Sequence, residues 1–421
     1  MSAGAYVPGF GHEFEYAFSM QLRYNYRLYP TPGQQQALAR LFGCVRVVWN
    51  DALRARREAD EAGRPYLTNA ELSVRLTVAK RTPERTFLGT VSAVPLQQSL
   101  TDLNTAYRNF SDFRSGRRKG PRIGPPRLKS RKDRRQSARF TANARFKVLP
   151  GGRLRLPGIG EVPTRWSRGL PSQPSSVTVI KDAVGRYFAS FVVHTDPGAD
   201  AARFARSGAE TGIDLGLTAF AVLSDGTKIS APRFLRRAER KLRRAQQAHC
   251  RKRNGSRNKE KSRARLARLH ARVADRRADF QHKASTAIIR DNQAVYVEDL
   301  CVAGLGRTRL AKSVHDAGWS AFTSMLAYKA ARYGRTFFRI GRFEPTSQVC
   351  SACGVKDGPK ALHVRNWACA ACGTIHDRDI NAARNILAAG RAERLNACGG
   401  DVRRETALAV ASEPGTLRGA L

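Results

Sequence analysis

Two groups of side chains in this sequence have the types and spacing for chemistry. Cys350, Cys353, Cys369 and Cys372 follow C-x2-C-x15-C-x2-C, within the spacing of a four-thiolate zinc site. Each pair lies in a short turn, CSACG and CAACG, where Gly354 and Gly373 are free to take positive φ. A closed set of four thiolates leaves no open coordination position, so the zinc expected here is structural. His363 and His376 are alternative ligands by type, but four cysteines suffice and both read as ordinary residues. Cys44, Cys250, Cys301 and Cys398 are scattered and carry no role.

The second group is acidic. Asp214 sits among Ile213, Leu215 and Leu217 in GIDLGL, and Glu298 ends the apolar run AVYVE. Asp379 opens DINAARNILAA, where Ile380, Ala383 and Leu387 make a helix face. A carboxylate buried in such a setting needs a cation. An arginine could supply it, so a structural ion pair remains open for each acid taken alone. Taken together, a strand acid, a strand-end acid and a late helix acid follow the order of an RNase H-like nuclease. There the carboxylates converge on two Mg²⁺ ions roughly 4 Å apart, one activating water and one stabilising the leaving oxygen. Asp377, two residues before Asp379, is the competing candidate for the third position.

The elements that must hold these groups can be read in outline. Residues 22–28 alternate as a short strand, a Pro-Thr-Pro turn follows, and Leu38, Leu41, Val45 and Val48 then mark one face of a long helix. Helical periodicity continues to about residue 115. The pattern turns to strands between about 140 and 195, with a hairpin turning at 182–185. TGIDLGLTAFAVLSDGTKIS is a hairpin, QAVYVEDL a strand, SAFTSMLAYKAARYG a helix and RTFFRIGRF a strand. At 421 residues the chain has room for two to four modules.

Charge makes nucleic acid the expected partner, with an acidic membrane surface as the weaker alternative. Seventy-five lysines and arginines against 34 acids give +41, which opposes compaction unless a polyanion shares it. Two stretches concentrate it. Residues 114–139 hold twelve basic residues and one acid in a Gly- and Pro-rich segment, read as a phosphate-contacting loop. Residues 233–283 hold twenty, over a seam of Leu266, Leu269, Val273, Phe280 and Ala287, read as a hairpin of two basic helices. No apolar run is long enough to span a membrane and the N-terminus lacks a signal pattern. A cytoplasmic, nucleoid-associated prokaryotic protein is the expectation, its cysteines thiols or metal ligands and not disulfides.

GIDLGLTAFAVLSDG, VEDL, CSACG…CAACG and HDRDINAARNI resemble the RuvC-type nuclease motifs and inserted zinc ribbon of the TnpB family. YRLYPTPGQQQALARLFGCVRVVWNDAL, PPRLKSRKDRRQSARF and RLNACGGDVR are similar to that family's other segments, so the likeness covers nearly the whole chain. The resemblance implies an α+β multidomain fold: a wedge β-barrel (1–30 and 116–200) with an inserted helical recognition module (31–115). An RNase H-like, RuvC-type α/β nuclease domain (207–347 and 374–400) would follow, interrupted by a zinc ribbon (348–373), with a disordered tail over 401–421. It places the catalytic, Mg²⁺-binding acids at Asp214, Glu298 and Asp379, since Asp379 fits D-x-N-A-A better than Asp377 does. It implies an RNA-guided DNA endonuclease that holds a guide RNA derived from the transposon end and cuts double-stranded target DNA beside a short motif. The other readings are a transposase acting without RNA, a zinc-ribbon DNA-binding regulator whose acids are structural, and a miniature CRISPR effector differing only in its RNA source.

Overall fold

The computed structural model describes residues 20–406, apart from 119, 197, 199, 343 and 362. The chain forms two compact units that meet in sequence at Thr195 and Asp196.

In the first unit, β1 (Met20–Leu28) buries alternate side chains, as a strand with one covered face must. Thr31 then starts α1 (Pro32–Glu61) with a reciprocal cap: its hydroxyl accepts from Gln34 N while the Gln34 side chain accepts from Thr31 N. Thr68 and Glu71 start α2 (Asn69–Ala79) in the same way. Leu38, Leu41, Val45 and Val48 of α1 are buried, and α1 packs against α3 (Ala93–Arg114). The strands β2 (Gln136–Thr141), β3 (Lys147–Val148), β4 (Arg153–Leu156), β5 (Gly160–Arg165), β6 (Ser176–Lys181) and β7 (Tyr187–Thr195) complete an antiparallel sheet. Its order is β2-β6-β7-β1-β5-β4-β3, with β1 paired along its whole length to β7. Tyr26, Trp166 and Phe191 pack as one aromatic cluster on it, with ring centroids 4.4–5.7 Å apart. The three helices thus lie, in sequence, between β1 and β2. The basic stretch after α3 is mostly coil, and its middle is pinned to α1. Trp49 Nε1 donates to Arg127 O at 2.9 Å, and the Asn50 amide bonds the Lys129 backbone in both directions.

The second unit is built on a five-stranded sheet. β8 (Glu210–Asp214), β9 (Ala219–Leu223) and β10 (Lys228–Ser230) form an antiparallel meander, one strand more than the expected hairpin. The basic helices α4 (Phe234–Cys250) and α5 (Arg257–Asp291) follow, and β11 (Ala294–Glu298) returns parallel to β8. The short α6 (Val302–Leu305) and α7 (Ala311–Ala317) and the longer α8 (Trp319–Arg332) lead to β12 (Thr336–Ile340), parallel to β11. The sheet order is β10-β9-β8-β11-β12. A ribbon hairpin, β13 (Asn366–Ala368) and β14 (Ile375–Asp377), precedes the last helix, α9 (Arg378–Thr406). Part of the tail expected over 401–421 lies in α9, and residues 407–421, like 1–19, fall outside the described residues.

The two faces of this sheet carry different helices. Ile213, Val295 and Val297 pack with Ile288 and Ile289 of α5 and Trp319, Phe322 and Leu326 of α8. Ala294 and Tyr296 face the other way, onto Ile386 and Leu387 of α9. Alternation therefore places Gly212, Asp214 and Glu298 on the α9 side. Gly212 shows why α9 lies so close: a Cβ there would collide with Ala383 O and Leu387 N of the helix backbone. Gly390 does the same from the helix, against the Tyr296 ring. Gly212→Ala should push α9 away from the sheet at a cost of about 1–3 kcal/mol. A lower urea midpoint with an unchanged slope is the expected measurement.

Candidate carboxylate site and metal ribbon

Asp214 ends β8, and Glu298 ends β11. The last paired residues of these parallel strands are Ile213 and Val297, so the two acids follow at the same level of the sheet. Both strands run the same way, and their carboxyl ends form the edge where open α/β sheets bind ligands. Asp379 stands in the first turn of α9, the helix that covers this face. The three acids come from two strands and a helix, and all three are half-buried.

Asp214 feels the charges of the other two. Burial pushes the Asp214 carboxyl up to about 7, and the negative charges of Asp379 and then Glu298 add to the rise, against a partial pull from Arg378 and Arg365. Glu298 is also raised, by burial first and then by Asp299. Asp379 has a cation: Arg365, from the ribbon, donates to its Oδ1 at 3.4 Å and to Thr218 Oγ1 at 3.0 Å. Among the described residues the cysteines alone are already drawn together as a metal-holding group of three or more.

Asp377 does something else. Its Oδ1 accepts from Asp379 N and Ile380 N, both at 3.1 Å, and so caps α9. Its Oδ2 pairs with Lys228 Nζ of β10 at 2.5 Å. Burial raises this carboxyl, but Lys228 and the two amides outweigh it and the net shift is downward.

The four cysteine sulfurs lie within 4.8 Å of one another, with Cys350–Cys372 and Cys353–Cys369 each 3.7 Å apart. A tetrahedron with Zn–S bonds of about 2.3 Å has S···S edges of about 3.8 Å, so the donor set fits zinc. The Thr374 hydroxyl and backbone draw the Cys372 thiol down, while at Cys353, against the pull of the Val355 amide, burial and the neighbouring sulfurs push the thiol up. His376, read from sequence as ordinary, is buried with Nε2 3.0 Å from Cys350 Sγ and its ring 4.8 Å from that of Trp367. It supports a ligand and is not one of the four. His363 is outside the group.

Sequence reasoning missed the clamp that joins the two sites. Asn381, almost fully buried on α9, accepts from Ser351 N and donates to Val349 O, each at 2.8 Å. One turn on, Asn385 donates to Thr346 O and Val349 O, each at 2.7 Å. The first knuckle is thus bolted to the helix turn that carries Asp379. The available signal was two amides at i and i+4, on one face of the helix.

Three sequence-family models match the chain. The OrfB_IS605 family, described as "Probable transposase", matches residues 191–309. A "Cas12f1-like, TNB domain" matches 319–386, and the OrfB_IS605 "Helix-turn-helix domain" matches 20–64, which here is one strand and one helix. A "Putative RNA-guided DNA endonuclease" of Streptomyces pristinaespiralis is 44% identical over 90% of this chain and 91% of its own length. The "Putative RNA-guided DNA endonuclease InsQ" of Escherichia coli K12 is 30% identical over 91% and 94%. Among solved structures, a Cas12f1 chain from a complex with sgRNA and target DNA aligns over 88% of this chain and 99% of its own. Its TM-score is 0.51 at 12% sequence identity, a likeness of fold. Identity of this extent along nearly the full length settles the lineage: the chain belongs to the TnpB family described by the OrfB_IS605 model.

Proposed function

We propose that this protein is a transposon-encoded, RNA-guided DNA endonuclease, whose second unit cuts DNA at Asp214, Glu298 and Asp379. The observation that carries the cutting site is geometric. Two strand-end acids at one level of the sheet lie on the face covered by the helix that opens with the third acid. The meander followed by two parallel strands supports an RNase H-like, RuvC-type reading of the sheet. The flanking ribbon and the helices set between β1 and β2 support the zinc-ribbon and recognition-module assignments, with a wedge-like sheet beside them. The names of the relatives support RNA and DNA as partners. A guide taken from the transposon end and a short target-adjacent motif belong to the same proposal.

The acids suit Mg²⁺: they are hard oxygen donors, and Asp214 is buried beside the charges of Asp379 and Glu298. Mg²⁺ bound there supplies Lewis acidity and a water made nucleophilic at neutral pH. Asp214, Glu298 and Asp379 would hold it with their carboxylates ionised, and Arg365, which bonds both Asp379 and Thr218, would be placed to face a phosphate. Asp377 is engaged by Lys228 and the capping amides and would not be among the ligands. The exposed arginines of α4, over buried Leu242 and Ala245, give the strand a charged track.

Asp379→Asn should therefore abolish Mg²⁺-dependent cleavage. Asp377→Asn should keep the cap, lose the ion pair to Lys228 at a cost of less than about 1 kcal/mol, and leave cutting measurable. Dead Asp377→Asn beside active Asp379→Asn would reverse the assignment. The guided reading is tested by sequencing RNA that co-purifies with the protein. One discrete species with a constant scaffold and a variable end supports it, and an unselected sample of cellular RNA contradicts it.

A further inference from the structure

The helices of the first unit enclose a cleft of 660 Å³, lined by α1, α3 and the segment joining α1 to α2. That is within the roughly 300–1,000 Å³ of pockets that hold small ligands. Six arginines and two aspartates line it, with Tyr66, Tyr107 and Phe110. At its base is Arg56, only 3% exposed. Its guanidinium donates to Leu67 O at 3.0 Å and Asn104 Oδ1 at 3.1 Å, and Nη1 is buried without a partner. No carboxylate pairs with it among the described residues. A buried cation without a counter-ion is costly, and such a site favours an anion.

The rings beside it are arranged for stacking. The Arg56 guanidinium carbon lies 4.4 Å from the centre of the Tyr66 ring and 5.1 Å from that of Tyr107. The Tyr66 hydroxyl donates to Asn104 Oδ1 at 3.2 Å, the atom that Arg56 also uses, so ring and cation are fixed by one acceptor. Tyr66 nevertheless remains 53% exposed. With a cation behind it and solvent in front, the ring is a ready platform for a flat π-system. Arg108 and Arg114 lie exposed in the lining, with no ion pair among the described residues.

We propose that this cleft takes one unpaired nucleotide of a bound RNA or DNA strand, its base on Tyr66 and its phosphate on Arg108 and Arg114. An unpaired nucleotide is required because a base within a duplex offers no face to a side chain. The proposal rests on the nucleic-acid partners of the function proposed above, but on neither guiding nor cutting.

The test is binding of short labelled single-stranded RNA, single-stranded DNA and blunt duplex to the full chain, purified free of nucleic acid. Tyr66→Ala should weaken binding of a single strand about tenfold, leave the dependence on salt unchanged and leave the duplex unaffected. Tyr66→Phe should retain the parent's affinity. Arg114→Gln should weaken binding and make it less dependent on salt, by the release of about one fewer counterion. An effect confined to RNA or to DNA assigns the strand. Unchanged single-strand binding in Tyr66→Ala, with an unaltered melting temperature, would overturn the proposal and leave Arg56 as a structural bolt between α1 and α3. So would equal losses for duplex and single strand. Cutting by the parent protein is scored separately: if it never cuts DNA but the Tyr66 effect stands, only the nuclease reading has failed.

Discussion

Asp214→Asn should yield a protein that no longer cuts DNA yet, without metal, melts at a higher temperature than its parent. The loss of cutting should be about 10²–10³-fold or more, the lower bound set by removing one preorganised electrostatic contact at a reacting centre. The gain in stability follows from linkage. In the folded chain the Asp214 carboxyl is raised from 3.8 to about 7, by burial first and then by Asp379 and Glu298. Between those values the folded state holds a proton that the unfolded chain releases. Metal-free stability therefore falls as pH rises through this window and stays low above it. At pH 8 the penalty is roughly 2–4 kcal/mol, which an amide of the same shape avoids. A domain of this size should then melt roughly 5–10 °C higher. At pH 4 the two proteins should melt together. Added Mg²⁺ should stabilise the parent at pH 8 and do little for the variant. Equal pH dependence in both would mean that the three acids do not share a field.

Cys369→Ser should have the other large effect. Cys369 is 2% exposed and Cys350 fully buried, so the cluster is also the small core of the ribbon, with Trp367 packed against it. Binding zinc to such a site is itself folding energy, about 10–16 kcal/mol in small zinc domains. Elemental analysis should find one zinc per chain in the parent and little in the variant. Cleavage should collapse even though Asp214, Glu298 and Asp379 are intact, because Asn381 and Asn385 lose the ordered backbone that they grip beside Asp379. Binding of nucleic acid should persist, since the basic surfaces lie outside the ribbon. Full cleavage by a zinc-free protein would show that the ribbon does not position the helix.

These two expectations differ in how far they could be read from sequence. The cysteines could be read outright, because metal-ligand spacing is local and two C-x-x-C pairs at this separation have few other readings. The long helices could be read as well: Thr31 with Gln34 and the buried Leu38–Val48 face of α1 are signals within a few residues. The acids were visible as charges in apolar runs, but not the face they share. That depends on the parallel register of β8 and β11 and on Gly212 admitting α9, contacts that join distant parts of the chain. Asp377 and Asp379 look alike in sequence. Lys228, 149 residues away from Asp377, is what marks that acid out as the helix cap. Arg56 was hidden for the same reason: its setting needs Asn104 and Tyr107 from another helix. The expected apolar seam of the basic hairpin was only partly right in kind. Val273 is buried, whereas Leu266, Leu269, Phe280 and Ala287 are half-buried, since two paired helices cover only one side of each other.

The most direct test of the whole account is reprogramming. The protein is purified at high salt with nuclease treatment, then given one DNA substrate, Mg²⁺ and either of two RNAs that differ only in the guide. The account predicts no site-specific cutting without RNA, and a cut that moves to the second matched site when the guide is changed. Site-specific cutting without any RNA, at a position indifferent to the guide, would contradict it and identify a transposase in its place.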